Sequence, residues 1–169
     1  MSLQQINVMY DAQQDRLLVR MNTRERMEYR FWITRRLTRG LWKGLLQQMQ
    51  STEAARRQTA PSAKQAVVEF EREAALQKTI FGNPYTNDEM QAAMEGDPLL
   101  VFSINMHVHE DGGHSITLKP SSGAGLQLRF SDTLLHAFAK LLQDAVKTSG
   151  WDLQLELPVA SAMPQAQYN

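Results

Sequence analysis

The sequence predicts an α+β protein: two pseudo-repeated βββα units with antiparallel sheets backed by helices, plus a linker helix and a C-terminal strand. Three observations predict it. Apolar and polar residues alternate in three successive segments towards each end of the 169-residue chain. At each end the alternation gives way to an apolar stripe of helical period just after a hydroxyl residue, Thr34 or Ser131, placed as an N-cap. Setting Thr34 on Ser131 aligns Leu37, Leu41, Leu45 and Met49 with Leu134, Phe138, Leu142 and Val146, and the order of elements matches around them.

In chain order, Ile6, Val8 and Tyr10 alternate with Gln5, Asn7 and Met9, which reads as a half-buried strand. After the turn DAQQD, Leu17, Val19 and Met21 alternate with Arg16, Leu18, Arg20 and Asn22. Pairing Tyr10 with Leu17 and Val8 with Val19 keeps the apolar sets on one face and fixes the hairpin register. A third strand over 26–33 adds Met27, Tyr29, Phe31 and Ile33 to that face, and the helix capped by Thr34 follows.

Residues 51–98 read as a linker around a helix at 62–78, whose stripe is Ala63, Val67, Phe70 and Ala74, with a short helical turn at Asp88–Met94. The second unit spans 99–157. Leu100, Phe102, Ile104, Met106 and Val108 are expected inward, and Val108 with Ile116 and Met106 with Leu118 are the expected pairs. Leu126, Leu128 and Phe130 make the third strand. Ser131 caps a helix that ends at Gly150 in the C′ position, and WDLQLEL (151–157) alternates as a final strand. Residues 158–169 read as a disordered tail, and the whole as one compact domain.

Net charge is zero, but the charge is divided. Residues 1–57 hold 11 Lys and Arg against 5 Asp and Glu; residues 58–169 hold 7 against 13. Such a division suits an anionic partner, or two oppositely charged halves that meet. The absence of cysteine excludes thiolate chemistry, disulfides and cysteine-ligated metals. MSLQQINVMYDAQQ has neither a basic n-region nor an apolar h-region, and no apolar run approaches the roughly 20 residues of a membrane span, so a cytoplasmic protein without membrane contact is expected.

No nucleophile elbow, Walker loop, zincin motif or dinucleotide fingerprint occurs, so no enzyme activity and no cofactor are expected. The strongest binding signal is a basic outer sheet face carrying Asn7, Arg16, Arg20, Arg26, Arg30 and Trp32, with Glu28 its only acid. The helix that follows continues it with Arg35, Arg36 and Arg39, although cations in a first turn oppose the helix dipole. Arginines along a groove with an aromatic ring for stacking are the means by which single-stranded nucleic acid is bound. The competing structural reading pairs these arginines with Glu69, Glu71, Glu73 or a second subunit. His107 and His109, two apart on one strand face, are weak metal candidates that lack a third ligand, and His136 reads as a surface or boundary residue. Gly40 and Gly44 read as a close-packing GxxxG pair.

DRLLVR (15–20) and FWITRR (31–36) resemble small proteobacterial proteins of unassigned function over most of the chain, a likeness that implies no activity. The duplicated sheet-then-helix plan is loosely similar to single-strand binders of the PUR and Whirly type, which implies nucleic-acid binding; those families have four strands per unit where this chain has three. The expectation is therefore a non-enzymatic protein-interaction or assembly module that forms oligomers through a protein partner or itself, with single-stranded DNA or RNA binding as the alternative.

Overall fold

The computed structural model describes residues 3–52, 55, 57–80, 91–93, 96–121 and 123–157. The first three strands are β1 (Leu3–Asp11), β2 (Arg16–Thr23) and β3 (Met27–Ile33), followed by helix α1 (Arg35–Gln50). Helix α2 (Pro61–Ile80) and the two-residue β4 (Gln91–Ala92) lead to β5 (Leu99–Val108), β6 (His114–Pro120), β7 (Leu126–Phe130) and helix α3 (Asp132–Ser149). This is an α+β fold with three helices among the described residues and a mostly antiparallel sheet.

The strands form one sheet rather than two, in the order β1-β2-β3-β5-β6-β7. The seam is a short parallel pairing of Phe31 with Leu99 and Trp32 with Leu100, while β4 lies along the same edge of β3 beside Met27 and Glu28. Gln91 and Ala92 are thus strand, not the helical turn their sequence suggests; residues 88–90 and 94 of that stretch lie outside the described residues. The tail 158–169 also lies outside them.

Alternation decides the inner face. Leu17, Val19, Met21, Phe31 and Ile33 from the first meander, and Val101, Ile116, Leu118, Leu128 and Phe130 from the second, are buried in one core. Leu41, Leu45 and Met49 of α1 and Leu135, Phe138 and Leu142 of α3 close it from the helical side. Both N-caps form as their sequence predicts: Thr34 Oγ1 accepts from Leu37 N–H and Ser131 Oγ from Leu134 N–H. Gly150 ends α3 with φ +66°, a left-handed conformation that suits glycine. Gly44 lets α1 lie close to β5, because a Cβ there would sit 2.3 Å from Met106 Sδ, whereas Gly40 faces open space and takes no part in that packing.

Four expectations are corrected. In β5, Leu100 and Phe102 point outward and Val101 is buried, because a β-bulge between Val101 and Ser103 reverses the phase before Ile104. The β5–β6 hairpin is two residues tighter than expected, pairing Val108 with His114 and Met106 with Ile116. A two-residue slip leaves every side chain on its own face, so alternation alone does not distinguish the registers.

Helix α2 turns Val68 and Ala75 inward, with Glu71 and Arg72 partly buried, and leaves Phe70 74% exposed at the centre of the stripe expected to pack. Finally, 151–157 joins no strand. It runs as an unpaired segment that packs Trp151 and Leu155 onto the core, while Gln143 Nε2 donates to Leu155 O. Trp151 Nε1 and Tyr10 Oη both donate to the Asp15 carboxylate, at 2.6 and 2.8 Å. Those bonds, the indole's first, hold the Asp15 carboxyl below its ordinary pKa.

Candidate functional site

The outer face of the sheet is read directly from the strand registers. Met9 lies opposite Leu18, Leu18 opposite Trp32, and Trp32 opposite Leu100. These four side chains form one apolar row across four strands, and Phe102 at the bulge extends it along β5. Met9, Leu100 and Phe102 are 51%, 40% and 63% exposed, which makes three of the four large exposed apolar side chains among the described residues members of this group. Leu18 and Trp32 are half-buried between them. Water is thus in contact with a contiguous apolar stripe on a sheet face where a solvated sheet would carry polar residues.

The basic residues expected around Trp32 divide into two groups. Arg16, Arg20 and Arg30 share the outer face with it, in the rows on either side of the apolar one. Arg20 is engaged there: its Nε and Nη2 donate to Glu28 Oε1 at 3.0 and 2.7 Å, with both side chains largely covered. Arg30 Nη2 donates to Gly96 O at 2.7 Å, which fixes the guanidinium with its charge uncompensated by that bond. Arg16 sits opposite Asp11. Arg26 has φ +60° and occupies the turn before β3, so it is not a strand residue.

Arg35, Arg36 and Arg39 are exposed on α1 together with Lys43. Because α1 buries Leu41, Trp42 and Leu45 against the inner face, Arg39 and Lys43 stand on the helical layer. There they line a cleft of about 370 Å³ with Trp42 and residues 152–155. The first turn of α1 contains no acid. Of the carboxylates expected to meet these arginines, Glu71 is engaged elsewhere: its Oε2 accepts from Thr52 Oγ1 at 2.8 Å and lies 3.5 Å from His136 Nε2, while Glu69 and Glu73 are exposed.

A second polar group, unforeseen from sequence, is enclosed between α2, α3 and the sheet. His114 and His136 are 0% and 1% exposed. His114 Nε2 lies 3.0 Å from Asp132 Oδ1. Burial lowers the His136 pKa to about 4, against the opposing pull of Asp132, and raises that of Glu71. Arg72 donates to Gln143, whose amide in turn holds Leu155 O. This chain of bonds ties α2 and the segment 151–157 to α3.

The rings of His107 and His109 meet edge-on at 4.9 Å, and among the described residues no three His, Asp or Glu side chains are placed to hold a metal. No helix among them is long and apolar enough to cross a membrane.

Trp32 stands out in the sequence as a binding candidate, and the rest of the row is signalled by the hairpin register, which pairs Tyr10 with Leu17 and so sets Met9 against Leu18. Asp132 and His136, one helical turn apart, likewise announced a shared polar face. No family model matches this chain, and neither a curated protein nor a solved structure is significantly similar to it.

Proposed function

We propose that this protein is a non-enzymatic protein-interaction module that self-associates through the outer face of its sheet. The observation that carries the reading is the apolar row Met9–Leu18–Trp32–Leu100 with Phe102, exposed across four strands. Exposed patches of this kind mark contact surfaces, and a core of Trp, Phe and Met rimmed by Arg is the composition that protein interfaces favour. A net charge of zero also removes the long-range repulsion that keeps like molecules apart. We further read the two meander-and-helix segments as copies of one unit, with the contact row crossing from the first into β5 of the second.

The test is light scattering on a sizing column. The wild-type protein is expected to show a mass that rises with concentration, and Leu100→Glu/Phe102→Glu to elute as a monomer with unchanged far-UV circular dichroism. A wild-type monomer at every concentration would sink the proposal.

A second reading, single-stranded nucleic-acid binding, is favoured by one observation: Arg35, Arg36, Arg39 and Lys43 stand exposed on a helix whose first turn lacks an acid. Fluorescence anisotropy of a labelled oligonucleotide at low salt addresses it, because electrostatic attraction is strongest there. Absence of binding under that condition removes the reading.

A further inference from the structure

Three of the four exposed large apolar side chains belong to the outer row; the fourth, Phe70, lies on α2. Its surroundings are the opposite of those of the row. Phe70 sits between exposed Glu69 and Glu73, whereas the rows on either side of the apolar one carry Arg16 and Arg30. Helix α2 packs against α3 in the helical layer, so Phe70 and the row are on opposite sides of the molecule. Within one chain they do not meet.

Basic excess lies in residues 1–57 and acidic excess in 58–169, and Glu69 and Glu73 of the acidic part are exposed. Each side carries what the other lacks: an apolar strip with a cationic border, and a protruding phenyl ring with carboxylates on both sides.

Resting on the reading of the outer face as a contact surface, we infer that its occupant is α2 of a second copy of this chain, with Phe70 seated on the Trp32–Leu100–Phe102 part of the row and Glu69 and Glu73 towards Arg16 and Arg30. Such a contact joins two different patches, so it is heterologous. Repetition then yields a ring where the rotation closes and an open filament where it does not, never a symmetric face-to-face dimer. One contact of this type covers Phe70, Leu100 and Phe102 and sets arginines of the basic part against carboxylates of the acidic part.

Mixing of two single-surface variants tests this. Phe102→Glu spoils the row and leaves α2 intact; Phe70→Glu spoils the helix and leaves the row intact. Both positions are solvent-exposed, so both proteins are expected to fold. Each alone is expected to sediment as a monomer, and an equimolar mixture to form a 1:1 heterodimer that grows no further, because each partner retains one usable surface. Raised salt is expected to weaken that heterodimer several-fold, since charged pairs border it.

If Phe70→Glu still oligomerises while Phe102→Glu does not, the outer face is a contact surface whose occupant is not α2, and this inference falls alone. If neither variant alters the wild-type mass, the outer-face reading falls with it. A charge-reversed pair, Arg30→Glu mixed with Glu73→Arg, provides a gentler check: association weakened in each and recovered in the mixture supports the pairing, and no recovery contradicts it.

Discussion

The outer surfaces of the two meanders differ more than their inner ones. Along β5 beyond the bulge and across β6 and β7, the outward positions are Asn105, His107, Ser115, Thr117, Lys119, Gln127 and Arg129, a wholly polar set. Across β1 to β3 the corresponding face carries Met9, Leu18 and Trp32, continued by Leu100 and Phe102. Both meanders solve the same problem inside, with alternating aliphatic residues against a capped amphipathic helix. The polar remainder of the second shows that this architecture does not require apolar residues outside, so the row that crosses from β1 to β5 is not imposed by the sheet fold.

Their helices repeat the contrast. Helix α3 has Asp132 in its first turn and Lys147 in its last, both favourable to the dipole, whereas α1 begins with Arg35 and Arg36 and has no acid in its first turn.

The largest effects should be alike in the two halves. Leu41→Ala and Phe138→Ala, each removing a side chain at most 1% exposed, are expected to cost about 2–5 kcal/mol in chemical denaturation. A loss below about 1 kcal/mol for Leu41→Ala would mean that the first helix does not share the core, and the comparison would fail.

Next in size is an effect confined to the second half. His136 has a folded pKa of about 4 against an ordinary 6.5, so the unfolded chain binds the extra proton between these values. Stability is then complete above pH 6.5 and falls as pH drops towards 4, by up to about 3 kcal/mol at 1.36 kcal/mol per unit. Glu71, raised by burial, works in the opposite sense as its carboxyl titrates. Urea titrations of wild type and His136→Leu across that range should show the slope in the former and a flatter profile in the latter. Equal slopes would remove His136 from the account.

Outer-face substitutions should separate association from stability. Leu100→Ser/Phe102→Ser is expected to change unfolding free energy by no more than about 1 kcal/mol, since both side chains are substantially exposed, while abolishing concentration-dependent association. The equivalent change in the polar half, Thr117→Ser with Gln127→Ser, is expected to leave association unaltered. Smallest of all is Arg36→Glu, which relieves the dipole conflict and should raise stability by about 0.3–1 kcal/mol in chemical denaturation while leaving self-association unaltered, because α1 lies on the helical side of the sheet. A variant less stable than the wild type would contradict the dipole reading.

Much of the fold was legible in the sequence because its elements are set by local rules. The register of Tyr10 with Leu17, the caps at Thr34 and Ser131 and the stop at Gly150 follow from period, side-chain hydrogen bonding and backbone freedom. What escaped depended on non-local choices. One extra residue at Phe102 inverts a strand's phase, and nothing in VFSI marks it. The segment WDLQLEL alternates like a strand, but it reaches the helices rather than a sheet edge, and its pattern records only which side chains are buried.

The inward face of α2 is not a simple apolar stripe: Glu71 and Arg72 are partly buried beside Val68 and Ala75, and their bonds to Thr52 and Gln143 come from residues far along the chain. The basic residues of the candidate site were visible, whereas the partner of Arg20 and the division of the arginines between two layers required the register and the packing.

Trp32 offers the most direct test, since it lies at the centre of the row and is only half-buried, while Trp42 and Trp151 are 5% and 7% exposed and nearly silent to a collisional quencher. Acrylamide quenching of tryptophan fluorescence would be measured from dilute to concentrated protein. If the outer face is a contact surface, the quenchable fraction is large in dilute solution and falls as molecules associate and cover Trp32. An accessibility that stays the same at every concentration would show that the row remains in water, and the central claim would be wrong.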